Sequence, residues 1–192
     1  MSAPSTTELL LIRHAPARHG GCMAGRRDVA ADLPEPAVFH HLRAHLGQVD
    51  RWISSPAMRC VQTGQALGAC EVVEDARLWE QDFGQWEGMA FDDLPDLGSL
   101  TRAQLSVHRA PGGESFADIC ARIWPALDAL AALQARVAVV AHAGVVRAGL
   151  ARALGSVEQG LTFAVAPLSV TRITVHGADW GVAQVNWTPD AA

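Results

Sequence analysis

Apolar residues along this chain fall into short unbroken runs and longer stretches with helical spacing, and glycine, proline and serine mark the joints between them. Residues 9–12 are one such run, the core of a buried strand read over 8–12, and Arg13-His14-Ala15-Pro16 follows it directly. From there to Pro36 the chain carries Gly20, Gly21, Gly25 and Pro34 without periodicity, which predicts a loop. A helix is expected over 37–46, with Val38, His41, Leu42 and His45 on one face. Residues 51–54 read as a second strand, and a second helix is expected to start near Pro56 with Ser55 as its cap. A third short strand is placed at 71–73, an aromatic and acidic loop at 79–88, and a helix at 99–108 that Pro111-Gly112-Gly113 stops.

Ser115, with Asp118 three residues on, has the spacing of a capping box and opens a helix expected to run towards residue 133, kinked at Pro125. The run VAVVA at 137–141 is the clearest strand, and His142-Ala143-Gly144 turns it into a helix over 145–154. Two runs at 169–176 and 180–187, joined by Gly177-Ala178-Asp179, predict a C-terminal β-hairpin. Strands alternating with helices imply an α/β sandwich around a mostly parallel sheet, and 192 residues suit a single domain over 1–192. In such sheets ligands bind beyond the carboxyl ends of the strands, where His14 and His142 both fall.

Composition narrows the chemistry. The net charge is -5, and all 15 basic residues are arginine. Without lysine, a P-loop lysine, a Schiff base and a Ser-Lys dyad are excluded, and any cationic site must be built from guanidiniums, whose planar fork suits phosphoryl oxygens. An acidic chain with no basic run has no electrostatic footprint for nucleic acid or an anionic membrane. Cys22, Cys60, Cys70 and Cys120 lie far apart, so reduced, mostly buried thiols are expected rather than disulfides or a zinc ribbon. The apolar run near the start is too short for a signal peptide or a membrane span, and a soluble cytoplasmic protein is the expectation. His41 and His45 stand at i, i+4 but lack an acid or cysteine in zinc register, so no metal is expected there. The six tryptophans suit core packing and leave the oligomeric state open.

Taken singly, the chemical candidates are ambiguous. Arg13-His14 could be a chance pair at a strand end, and Arg59, one turn into a helix, could be an ordinary solvated arginine. Among the aromatics of residues 78–88, a carboxyl would have its charged form disfavoured and could serve as a general acid, or the segment could simply plug the core edge. His142 stands at a strand end before a helix N-terminus, where backbone N–H groups attract an anion.

As an ordered set, these segments resemble the histidine phosphatase superfamily, also called phosphoglycerate mutase-like. The hallmark Arg-His-Gly appears as Arg13-His14-Ala15, and Ser-x-Pro-x-x-Arg-x-x-x-Thr matches Ser54 through Arg59 to Thr63. Leu78, Glu80 and Phe83 to Gly88 match a third element, Pro-Gly-Gly-Glu-Ser at 111–115 a fourth, and His142 with Gly144 a fifth. The resemblance covers about residues 8–150 and implies a three-layer α/β/α fold with no cofactor. It implies that His14 is the phosphorylated nucleophile, that Arg13, Arg59 and His142 clamp the phosphoryl oxygens beside Ala143, and that Glu80 is the proton donor, with Glu87 as the rival. It also implies a charged His142, and hence activity favouring mildly acidic pH.

Two departures bear on the substrate. Ala15 replaces the family's glycine, which requires only that φ be negative there, and the usual Thr and Asn of the following loop are absent. Arg26 and Arg27 could supply the missing substrate contacts or be surface charges, the short loop being similar to that of the α-ribazole phosphatase branch. The implied function is hydrolysis of a small phosphate monoester, with α-ribazole 5′-phosphate as one substrate. The alternatives are phosphoryl transfer of the phosphoglycerate mutase type, for which longer family members use a lysine this chain lacks, and a phosphate-binding member without turnover.

Overall fold

The computed structural model describes residues 6–189. Strand β1 (Thr6–Arg13) lies inside a six-stranded sheet of order β3-β2-β4-β1-β5-β6, with β2 at Arg51–Ser54, β3 at Val72–Glu74 and β4 at Arg136–Ala141. These four strands run parallel, whereas β5 (Val170–His176) pairs antiparallel with β1 and forms the expected hairpin with β6 (Asp179–Trp187). The continuous apolar run of β1 follows from burial on both faces. Leu9 and Leu11 pack towards α4 (Phe116–Ala131) and α5 (Ala143–Leu154), while Leu10 and Ile12 pack towards α1 (Pro36–Leu46) and α2 (Met58–Ala66). That division makes the three layers. Truncating any of these four side chains to alanine would cost about 2–5 kcal/mol.

Several boundaries differ from the sequence reading. On α1 the buried face is Phe39, Leu42 and Leu46, and His41 is exposed. Helix α2 starts at Met58, two residues after Pro56; the Ser55 hydroxyl accepts the Ala57 N–H and meets the His142 ring, and the Asp28 carboxylate accepts the Met58 N–H. Helix α4 has the predicted capping box at Ser115 and Asp118, ends at Ala131, and runs through Pro125 as one element. The helix expected over 99–108 is α3 (Arg102–Val107), capped by Thr101, and a four-residue helix, α6 (Val157–Gly160), has no counterpart in the sequence reading. Of the four free thiols only Cys60 and Cys120 are buried, and Cys70 is exposed because it lies in the turn leading to edge strand β3. His45 stacks on Trp187 with ring centroids 3.5 Å apart and bonds the Gln184 side chain. No helix among the described residues is long and apolar enough to cross a membrane.

Candidate active site

The carboxyl ends of β1, β2 and β4 bring His14, Arg59 and His142 together. The backbone of His14 continues the sheet by donating to the Ala141 carbonyl, and its ring lies 5.2 Å from that of His142. Nδ1 of His14 sits 2.6 Å from the Ala15 carbonyl, which can only accept, so the proton resides on Nδ1. Nε2 therefore carries the lone pair, and it accepts from Arg59 Nε at 3.3 Å. Burial, with Arg59 and Arg13 adding to it, pushes the pKa of His14 down to about 3, so the imidazole is neutral under ordinary conditions. Ala15 is fully buried, its φ is not positive, and its N–H donates to the Thr63 hydroxyl, which ties the loop to α2.

Arg59 is the largest fully buried side chain. Its guanidinium donates to the carbonyls of Gly25 and Arg27 and, at 3.2 Å, to Nδ1 of His142. The His142 proton then sits on Nε2, 2.9 Å from the Ser55 hydroxyl. Burial and the neighbouring His14, Arg59 and Arg13 hold His142 well below the ordinary histidine range. The expectation of a charged His142 is thus corrected: in the ligand-free site it is neutral, because the nearest charges are guanidiniums and the ring is out of water.

Two further guanidiniums are held by the loop between α6 and β5. Arg13 donates to the Val165 carbonyl at 2.6 Å, and Arg147, on α5, donates through Nε to the Phe163 carbonyl at 3.0 Å. The loop is anchored from the far edge of the sheet, where the Asn186 side chain accepts the Ala166 N–H at 2.6 Å. Asn186 and Leu168 both adopt positive φ, 52° and 59°, and Leu168 donates back to the Arg13 carbonyl. Arg13 Nε is buried without a partner, and neither Arg13, Arg59 nor Arg147 has a carboxylate within salt-bridge distance among the described residues.

Glu80 enters from the aromatic loop. Its carboxyl accepts the N–H groups of Gln81 and Gly144, and burial nonetheless raises its pKa above the usual carboxylate range. The loop carrying it is clamped by a pair absent from the sequence reading. Arg122 donates to the carbonyls of Arg77, Trp79 and Glu80 and pairs with Glu114 at 2.8 Å. Glu114, inside the Pro-Gly-Gly-Glu-Ser segment, also accepts the Asp82 N–H. Gly84, at φ 50°, lies against the Pro111 carbonyl, so this approach leaves no room for a Cβ.

Glu87 has a different place. Its carboxylate accepts the N–H groups of Arg26 and Phe83 and fills the space a Cβ on Gly25 would need. It fastens one loop to the other and does not line the cavity. Nor do Arg26 and Arg27. The Arg26 side chain is spent on Glu114, Asp82 and the Glu80 carbonyl, and Arg27 is exposed, contributing only its carbonyl to Arg59. In place of the substrate contacts expected of them, the third guanidinium at the cavity is that of Arg147.

The resulting cavity, about 250 Å³, is floored by Arg13, His14, Arg59 and Glu80. Ala143, Arg147, His19 and several apolar side chains form its walls. A neutral imidazole lone pair, three unpaired guanidiniums and a protonatable carboxyl thus face one space, while His142 lies beneath it. Among the described residues no cluster of three or more His, Cys, Asp or Glu could hold a metal ion. Arg147 was missed by the sequence reading, although it stands five residues after His142 on the helix that His142 precedes.

A bifunctional protein of Mycobacterium tuberculosis is 32% identical over 157 residues, which span 76% of this chain and 43% of that protein. The chain therefore covers less than half the length of the curated relatives it matches. The mycobacterial glucosyl-3-phosphoglycerate phosphatase, solved with VO3, superimposes with a TM-score of 0.81 at 25% identity over 95% of this chain and 99% of that one. An Escherichia coli protein provisionally described as an α-ribazole-5′-P phosphatase shares the fold, with a TM-score of 0.81 at 20% identity over 97% of this chain and 98% of its own. The profile of the histidine phosphatase superfamily (branch 1) matches residues 9–188, and the chain belongs to that family.

Proposed function

We propose that this protein, as one histidine phosphatase domain, hydrolyses a small phosphate monoester through a phosphohistidine formed on Nε2 of His14. The observation that carries this reading is the His14 ring: Nδ1–H is committed to the Ala15 carbonyl, leaving the Nε2 lone pair beside three guanidiniums and a buried carboxyl. In the first step Nε2 attacks phosphorus, the ester P–O bond breaks, and Glu80 gives its proton to the departing oxygen. In the second, ionised Glu80 takes a proton from water, which attacks phosphorus; the P–N bond breaks and inorganic phosphate leaves. Arg13 and Arg59 balance the phosphoryl charge, which is where most of the rate enhancement of phosphoryl transfer originates. A dianion above His142 favours its protonated form, so this ring gains its charge from the substrate.

The finer reading is α-ribazole 5′-phosphate, supported by the short loop after His14 and the unaltered Pro-Gly-Gly-Glu-Ser at 111–115. A kinetic panel of α-ribazole phosphate, phosphoglycerates, sugar phosphates and nucleotides tests it, and release of phosphate rather than isomerisation separates hydrolysis from mutase chemistry. Quenching the enzyme in alkali during turnover should leave an acid-labile phosphoryl group on the peptide containing His14. A phosphoryl group elsewhere, or none with turnover intact, would remove the covalent mechanism.

A further inference from the structure

The outer half of the cavity differs in kind from its floor. Beyond the reacting groups the walls are Ala17, Met23, Ala24, Phe83, Phe91 and Ala143, with His19 and Arg147 the polar exceptions. Phe91 is 46% exposed, an unusual state for a large aromatic, and its ring is supported edge-on by His19 at 5.2 Å. Its position is fixed from behind by backbone bonds rather than by core packing: the Phe91 N–H donates to the Gly21 carbonyl, and the Met23 N–H to the Met89 carbonyl. Two loops are thereby laced together so that Met23 and Phe91 line one mouth. No Asn, Asp, Gln, Ser or Thr lines the cavity. Of a polyol's hydroxyl groups only those within reach of His19, Arg147 or Glu80 would find a side-chain partner along that wall.

Resting on the phosphatase reading above, we infer that the substrate carries an aromatic ring, which settles on Phe83, Phe91 and Met23 while the phosphoryl group lies on the arginines. The wall recovers apolar area that is wet in the free enzyme, and aromatic rings pair favourably edge-to-face or offset.

Ethyl phosphate, 2-phenylethyl phosphate and glycerol 1-phosphate test this, because all three release a primary alkoxide of similar basicity and differ in what the alkoxide carries. The ring should raise kcat/KM over ethyl phosphate by about 10- to 100-fold, the value of burying one aromatic side chain's worth of surface, and glycerol 1-phosphate should do no better than ethyl phosphate. In Phe91→Ala the ratio of 2-phenylethyl to ethyl phosphate should fall several-fold. Equal turnover of the ethyl and phenylethyl esters, or preference for the glycerol ester, would overturn the inference while leaving the phosphatase reading intact. If none of the three is hydrolysed and no phosphohistidine forms, the phosphatase reading itself fails.

Discussion

A second, larger cavity of about 460 Å³ opens at the amino ends of β2 and β3, between Arg43, Asp50, Arg51, Trp52, Cys70 and Glu71. It also has two arginines and an aromatic ring, yet the two sites are built differently. At the amino ends two acids share the wall with the arginines without forming an ion pair among the described residues, and Arg43 lies over the Trp52 ring at 5.1 Å. Around His14 the guanidiniums are held by carbonyl oxygens of Gly25, Arg27, Phe163 and Val165. A carbonyl fixes an arginine without cancelling its charge. Volume, then, is a poor guide here, and guanidiniums held by carbonyls so that they converge on one buried imidazole are a better one.

The contrast can be broken most directly at the two ends in parallel. His14→Ala should lower turnover of an aryl phosphate by about 10⁴-fold or more, whereas Arg51→Ala should leave it unchanged. Comparable losses in steady-state assays would mean that the larger cavity takes part. Glu80→Gln should cost about 10²–10⁴-fold with alkyl esters and much less with nitrophenyl phosphate, whose leaving group needs no proton. For the same reason wild-type activity should fall as pH rises through the elevated Glu80 pKa, and a profile set by a group titrating in His14's place would sit near pH 3 instead.

Stability offers a subtler test. His14 and His142 are neutral in the folded chain below the pH at which an unfolded histidine charges, so the unfolded state binds more protons as pH falls from about 6.5. Each histidine should remove about 1.4 kcal/mol of stability per pH unit over that window. Glu80 opposes part of this, since its raised pKa favours the folded state at low pH and loses that benefit as pH rises through it. Denaturant titrations of His142→Gln should show the slope reduced by about 1.4 kcal/mol per pH unit, and an unchanged slope would place a charge on His142 after all. The smallest effect belongs to the amino end: Arg43→Ala should cost about 0.5–1 kcal/mol through the lost ring contact and leave activity alone.

Much of the fold could be read from the residues because local signals agreed with the sheet. The unbroken runs 9–12 and 137–141 mark the two central strands, and Ser115 with Asp118 is a working capping box. The face of α1 was misjudged because His41 and His45 satisfied helical spacing as well as Phe39 and Leu46 do, and only the packing decides between them. In the site, strand-end residues such as Arg13, His14 and His142 were legible because topology alone brings them together. The residues that hold them were not. Arg122 and Glu114 act on backbone carbonyls and N–H groups some forty residues away, Asp28 caps a helix it does not adjoin, and Arg147 looks in the sequence like any arginine on an amphipathic helix. Long-range bonds of that kind leave no period to detect.

Asn186 carries a consequence for how the cavity is completed. Arg13 lies on β1, but the loop that aims its guanidinium is pinned by a carboxamide on β6. The cavity floor at Arg13 therefore has its full set of bonds only when β6 is paired with β5. The aim of the Arg13 guanidinium thus depends on a side chain about 170 residues further along the chain, so the floor of the cavity and the closing of the β5–β6 hairpin are one structural event.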